Sequence, residues 1–441
     1  MVFSPDCDPA HVYLSPAQTP LDDLRPQSCA VYSIAAMLKS MLQAVSLPLA
    51  LSSAQLLPES VQLPLVRECG PSSARVVCVE RYASVMPYHF SREPIINDTE
   101  VQFGNTSVPN DPSFDLVSSA NFVVFDEERA LDILGNNPTY EVVLNVSNTP
   151  HEAPVYVPSL NKIFLNDLAA TLSQLVIDLN SEPPTISDFT SDPPVLIPNG
   201  GTFHNGLIYW ATAAGNTTAP GGEQRPGIVT LDPQTNKSTV LLNNFFGYYF
   251  NSLDDLAVDS NGVVWFTDTE YGYLFHASDT APVLKPSTYR FDPKTGNVRV
   301  VEDTLTVPNG IALSSDGKHA YIGDTGAHTL ENPAVNQKGP RTVYKFDIVD
   351  DGTNLCCRRP FYFSQDWLPD GLREARNGMV VIAAGSGVDV VDSFGQLVLR
   401  IQTDFMVQNF VWAGGELKDL WLTGNGKIAR VKWELQGPVL T

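Results

Sequence analysis

The chain of 441 residues carries 43% apolar but only 17% charged residues, together with 30 glycines and 34 prolines. Its formal net charge of −22 excludes the basic surface that phosphate binding needs, so no nucleic acid is expected as a partner. Low charge with many turn formers suits an all-β fold of short strands, and the length allows one large domain plus an extension. No CxxC pair occurs among the six cysteines, Cys7, Cys29, Cys69, Cys78, Cys356 and Cys357, which counts against a structural zinc site. Cys69 and Cys78 are near enough to pair across a short loop. The adjacent Cys356 and Cys357 read as packed thiols rather than a strained vicinal bridge.

From the N-terminus, residues 1–36 are proline-rich and without period. From Met37 the chain has a basic Lys39, an apolar run and a small-residue end at Ser52-Ser53-Ala54, resembling a secretory signal segment over about 37–54. The apolar run is too short to span a bilayer, so no membrane span is expected in the mature domain. Its internal position is explained if residues 1–36 are not in the natural product; the other reading is an ordinary helix. Five N-x-[ST] sequons, at Asn97, Asn105, Asn145, Asn216 and Asn236, favour a secreted glycoprotein over plain loop asparagines. Residues 1–90 are expected to be an irregular extension and 91–441 the main domain.

Next in order, Asn121–Phe125 reads as an early strand that helps close the main domain, and Glu127–Leu134 as a helix. Leu168–Leu179 is the other segment with helical character. The rest is dominated by a repeat. HEAPVYVPSLNKIFLND (151–167), LDDLAVDSNGVVWFTD (253–268), PNGIALSSDGKHAYIGD (308–324) and PDGLREARNGMVVIAA (369–384) share one grammar. A polar residue leads a short apolar strand, a turn follows, and a second apolar strand completes the unit. The turns at Ser260-Asn261-Gly262, Ser315-Asp316-Gly317 and Arg376-Asn377-Gly378 carry the strongest hairpin signals, because Asn-Gly and Asp-Gly accept positive φ. Two more units begin near Gly201 and Asn409. Outer strands are expected at 228–233, 289–293 and 343–347. Units of about fifty residues fit four-stranded propeller blades, so a six-bladed β-propeller is predicted, with blades led near 152, 201, 254, 309, 370 and 409.

In such a ring the residue leading each innermost strand faces one mouth of a central channel. Glu152, Asp254, Asn309 and Asp370 hold that position, although turn residues bonding their own backbone would also explain any one of them. Three carboxylates and an amide form an all-oxygen set suited to a hard cation such as calcium, and without one the carboxylates raise each other's pKa. His151, beside Glu152, points to the opposite side of an extended segment and is expected to pack. His204 and Tyr271 are candidate substrate contacts at the mouth, and Tyr273 is a weaker one. No G-x-S-x-G elbow, P-loop or dinucleotide fingerprint occurs.

At DLAVDSNGVVWFTDTEYG (255–272), YRFDPKTGNVRVVED (289–303) and VPNGIALSSDGKHAYIGDTG (307–326) the chain resembles the regucalcin/gluconolactonase family of six-bladed propellers. The span FDEERALDILGNNPTYEVVLNVSNTPHEAPVYVP (125–158) is most similar to the fungal lactonohydrolase branch, which acts on aldonolactones and pantolactone. The resemblance covers roughly 115–435. It implies a calcium-dependent lactonase with a small-molecule lactone substrate and a metal, Ca2+ or another divalent ion, held by Glu152, Asn309 and Asp370. The family's Asn-Asp-Leu motif appears here with Asp254 in place of its asparagine. The implied mechanism has the metal polarise the lactone carbonyl while Asp370, or else Asp254, takes a proton from the attacking water. The alternatives are a ligand-binding propeller without catalysis, an arylesterase, and a strictosidine-synthase-like enzyme, whose metal-free site the ligand set disfavours. Loops 276–286 and 325–340 are expected to shape the pocket.

Overall fold

The computed structural model describes residues 63–440 except 81–83, 85, 87–88, 96–99, 169–171 and 220–221. The signal-like stretch at 37–54, Asn97, Cys7 and Cys29 lie outside the described residues. Among the described residues no helix is long and apolar enough to cross a membrane.

Three short strands precede the repeats: β1 (Val66–Glu68), β2 (Val76–Val79) and β3 (Phe122–Val124), followed by β4 (Thr139–Asn145). The first unit comprises β5 (His151–Val157), β6 (Lys162–Asp167), β7 (Gln174–Asp178) and β8 (Thr185–Phe189). The second comprises β9 (Pro198–His204), β10 (Leu207–Thr212), β11 (Gly227–Asp232) and β12 (Lys237–Leu242), and a hairpin of β13 (Asn244–Phe245) and β14 (Tyr248–Tyr249) follows. The third is β15 (Leu253–Val258), β16 (Val264–Asp268), β17 (Ser287–Asp292) and β18 (Asn297–Glu302). The fourth is β19 (Pro308–Leu313), β20 (His319–Asp324), β21 (Thr342–Val349) and β22 (Asn354–Phe363). Then come β23 (Pro369–Glu374), β24 (Val380–Ala384), β25 (Gly387–Val391) and β26 (Leu397–Gln402), and last β27 (Val407–Ala413), β28 (Asp419–Gly424) and β29 (Lys427–Lys432).

These strands make an all-β propeller. Each unit is an antiparallel meander, and the first strands form a closed circle: β5 touches β9, then β15, β19, β23, β27 and β5 again. The expected count of six blades is corrected to five four-stranded blades. Five sheets have four strands, whereas the unit led by Asp370 belongs to a seven-stranded sheet in which β3, β2 and β1 extend β26 outward. β1 and β2, which precede the boundary expected at residue 90, share a sheet with β23–β26. A disulfide between Cys69 and Cys78 ties β1 to β2.

Closure also differs from expectation. The strand that closes the ring is β4, paired antiparallel with β29, while β3 lies on the outside of β26. Within Leu168–Leu179, expected to be helical, Gln174–Asp178 is instead strand β7, where the β-branched Val176 and Ile177 are buried between sheets, while 169–171 lie outside the described residues. The helix at Glu127–Leu134 is present, capped by Asp126, whose carboxylate accepts from Arg129 N at 3.1 Å.

Apolar side chains from both faces of each sheet fill the gaps between neighbours. Trp210 and Val155 join the first and second units, and Trp265, Ile311 and Phe346 the third and fourth. Trp421 with Tyr156 and Ile163 joins the last to the first. Because both faces are covered, inner-hairpin strands read as continuous apolar runs, and all five residues of β16 are buried.

Candidate active site

The second residue of five innermost strands is an oxygen-bearing side chain: Glu152, Asn199, Asp254, Asn309 and Asp370. Asn409 is third in β27. All six strands start at one mouth of the channel, so these groups share it. The inter-strand register shifts beside four of them, between Glu152 and Val155, Leu253 and Leu256, Pro308 and Ile311, and Pro369 and Leu372. A bulge re-aims side chains, and here it recurs beside the oxygen-bearing side chains at the mouth.

Glycine permits the close approach. A Cβ on Gly310 would stand 2.2 Å from the carbonyl oxygen of Asp370, and one on Gly371 2.4 Å from the Asn409 side chain. The Pro-Asn-Gly and Pro-Asp-Gly motifs thus pair an oxygen-bearing side chain with the residue that lets the next strand come near. Behind the mouth, Asp268 accepts from Ser252 N at 2.7 Å and Asp324 from Val307 N at 3.0 Å. Each holds the backbone two residues before a candidate ligand, Asp254 and Asn309 respectively.

Glu152, Asp254 and Asn309 are buried, while Asp370 is half-buried. Burial, then the Asp370 and Asp254 carboxylates, hold Glu152 well above the usual carboxylate range. Burial, then Asp370 and Asp255, raise Asp254 in the same way. Burial and the Asp255 carboxylate push Asp370 up to about 8, although its remaining exposure keeps it open to solvent at the mouth. The amide of Asn409 donates to Glu152 Oε2 at 3.0 Å. Asn309 Oδ1 is buried with no hydrogen-bond donor. An orphaned amide oxygen beside three mutually repelling carboxylates fits a hard cation such as calcium.

One step deeper, Arg373 donates to Asp255 Oδ2 at 2.7 Å and to the carbonyl oxygen of Gly201 at 3.1 Å. This pair bars the channel. On the far side of Arg373 begins an apolar pocket lined by Val155, Phe203, Val411, Trp412 and Leu440.

Tyr271 lies at the mouth. Its hydroxyl is 2.6 Å from Thr325 Oγ1, and burial with the nearby Asp254 and Asp370 carboxylates keeps it protonated. Its ring meets those of Phe275 and His328, forming an aromatic rim built from the segment after β16 and from one of the two predicted pocket loops, 325–340. Tyr273, 37% exposed, lies two residues further on. His151 is buried, with Nδ1 2.8 Å from Thr149 O and 2.9 Å from Gly424 O, which is a packing role. His204 does not join the site. It ends β9 at the opposite mouth, beside Asn205 and the turn at Gly262. Sequence reasoning missed Asn199 and Asn409; the Pro-Asn-Gly at 198–200, identical to that at 308–310, was the available signal for the first.

Of the four described sequons, Asn105, Asn145 and Asn236 are exposed, while Asn216 is half-buried and its Oδ1 accepts from Thr218 N at 2.7 Å. Cys356 and Cys357 are free thiols, the first half-buried and the second exposed, so they are not packed as expected.

The comparisons with known proteins agree with this architecture. The model of the SMP-30/Gluconolactonase/LRE-like region matches residues 221–425. Lactonohydrolase oryL of Aspergillus oryzae is 38% identical over 427 residues, covering 91% of this chain and 98% of that protein. A gluconolactonase from Xanthomonas campestris superposes with a TM-score of 0.57 at 22% identity, over 69% of this chain and 92% of its own. Regucalcin from Agrobacterium tumefaciens, a calcium-binding protein, gives 0.51 at 16% identity, over 69% and 97%. With a propeller ring, a shared oxygen-lined mouth and a full-length relative at this identity, the chain belongs to the SMP-30/gluconolactonase/LRE-like family, alongside the fungal lactonohydrolases.

Proposed function

We propose that this protein is a calcium-dependent lactonase that opens an aldonolactone- or pantolactone-like ring, on a propeller of six units that counts the seven-stranded sheet as one. The observation that carries the reading is the buried Asn309 Oδ1, without a donor, beside the raised carboxylates of Glu152, Asp254 and Asp370. Those four side chains would hold the cation, which when bound neutralises them and polarises a substrate carbonyl as a Lewis acid.

The protein's own groups do the rest. Asp370, still open to the mouth, accepts a proton from the water whose oxygen attacks the acyl carbon. When the ring C–O bond breaks, the same carboxyl returns that proton to the departing alkoxide, so charge and atoms balance. The Tyr271 hydroxyl stays protonated and so can donate to a ring oxygen or hydroxyl. The aromatic rim with Phe275 and His328 covers one face of the substrate. Arg373 and Asp255 close the channel below, so substrate enters and leaves by one mouth. The exposed Asn105, Asn145 and Asn236 support a secreted, glycosylated product, which endoglycosidase treatment of native protein would reveal as a loss of mass.

A panel of aldonolactones, pantolactone and aryl esters assayed with calcium and with a chelator tests the function. Hydrolysis of a lactone that disappears on chelation and returns with calcium is the expected result. Lactone hydrolysis indifferent to chelation would remove the metal from the reaction, and unfolding without any lactone turnover would leave only a structural ion.

A further inference from the structure

A second ligand cluster lies far from the channel, on the outermost strand of the fourth unit. Neighbouring side chains on a strand point to opposite faces, so Cys356 and Cys357 should diverge. They do not. The register of β21 and β22 shifts between Lys345 and Asp347, which pair with Arg359 and Cys356. Cys357 and Arg358 therefore oppose Phe346 alone, which is a bulge. Cys357 sits there at φ 58°, a left-handed conformation uncommon for a residue with a side chain. The bulge turns the second thiol back toward the first, and the two Sγ atoms stand 2.7 Å apart.

Asp347, the direct cross-strand partner of Cys356, completes the group. One ligand atom from each of Asp347, Cys356 and Cys357 lies within 4.8 Å of the others, the only such trio among the described residues. The carboxylate is itself fixed: Oδ1 is 3.0 Å from His319 Nδ1 and accepts from Arg359 at 2.7 Å. A held carboxylate next to two convergent sulfurs is the pattern of a metal ligand with its supporting shell.

We propose that Asp347, Cys356 and Cys357 form a second metal site, selective for a thiophilic d10 cation such as Zn2+ or Cd2+. Sulfur ligands set it apart from the oxygen-only channel site, since thiolates favour soft cations and carboxylate–amide sets favour calcium. Binding releases the thiol protons as both sulfurs become thiolates, and a water fills the position that the three side chains leave open.

Cadmium titration of the full chain, followed by its ultraviolet thiolate charge-transfer absorption, tests this. The background carries Cys7→Ser and Cys29→Ser, so that Cys356 and Cys357 are the only reduced thiols, and excess calcium occupies the channel. The expected result is one equivalent of cadmium giving the band, its loss in C356S/C357S, and affinity lower by about tenfold or more in D347N. No band, or a band that persists in C356S/C357S, overturns the site. Unchanged affinity in D347N removes Asp347 and with it the three-ligand geometry. Thiol titration that finds neither sulfur free, with an intact mass lower by two hydrogens, would show a vicinal disulfide instead and equally overturn the proposal.

Discussion

Asn409 Nδ2 donates to Glu152 Oε2 at 3.0 Å, linking the last innermost strand to the first. The bond fixes which Glu152 oxygen faces the channel and lowers the cost of holding that carboxylate charged. Asn409→Asp replaces a donor with a fourth repelling carboxylate. We expect its calcium requirement to rise about 10–100-fold, with turnover at saturating calcium reduced far less. Activity titrated against free calcium checks this, and an unchanged midpoint would show that Asn409 does not orient Glu152.

Gly310 and Gly317 separate two roles of glycine. Both become alanine at the cost of one methyl, but that methyl meets the Asp370 carbonyl oxygen at 2.2 Å from Gly310 and nothing within 4 Å from Gly317, where φ is 67°. Gly310→Ala is expected to lose about 1–3 kcal/mol by overpacking and to weaken calcium binding, because it pushes two ligand strands apart. Gly317→Ala costs only the left-handed strain, about 1 kcal/mol, and leaves binding unchanged. Urea unfolding and calcium titration of both variants distinguish them.

The raised carboxylates predict how pH acts on the calcium-free protein. Asp370 at about 8, Asp268 at about 7, and Glu152 and Asp254 above their ordinary range all have folded values above unfolded ones. Their favourable contribution is complete below the ordinary carboxyl value, near about 4, and is lost as pH rises toward about 8. Groups held low, such as Asp316 at about 2, change protonation below that window. The Tm in chelator should fall from pH 5 to pH 8, while calcium flattens the profile, so the gap widens with pH. A gap of constant size would show that these carboxylates do not repel in the free protein. Asp370→Asn should raise the Tm in chelator and lower turnover by about 100-fold or more.

Arg373 and Asp255 offer a test below the site. Their side chains are 16% and 2% exposed, so removing the arginine leaves a buried carboxylate unpaired among others of its sign. Arg373→Met is expected to destabilise by about 3 kcal/mol, the low end for a buried pair because the arginine keeps some contact with solvent. Asp255→Asn in the same chain should recover most of the loss. Chemical denaturation of the two singles and the double closes the cycle, and a double no better than Arg373→Met would place the arginine's role in packing.

The repeat grammar made Glu152, Asp254, Asn309 and Asp370 legible in the sequence, because a polar residue leading an apolar strand, a turn and a second apolar strand recurs in all four units. Asn199 was harder to see. Its strand is interrupted by Gly200 and Gly201, and the Asn205-Gly206 turn draws attention to the wrong end, where His204 sits. Asn409 was seen as the lead of the last unit but not as part of the site, and it stands third rather than second in β27. Ring closure was misplaced because apolar content favours Asn121–Phe125 over Thr139–Asn145. An outermost blade strand faces solvent on much of its length, and the mixed composition of β4 is what that position requires. The thiol pair could not be read at all: adjacent cysteines are expected to diverge, and only the bulge opposite Phe346 brings them together.

The pairing of β4 with β29 has a consequence for biosynthesis. Residues near 430 hold residues near 140, so a nascent chain carries most of its sheets before the circle can shut. Until then Glu152 lacks its neighbour Asn409 and the proposed cation site has a missing wall. Tight ion uptake should thus mark completed molecules, and chains stopped short of the last strand should be met by the cell as half-built, sticky and ion-free.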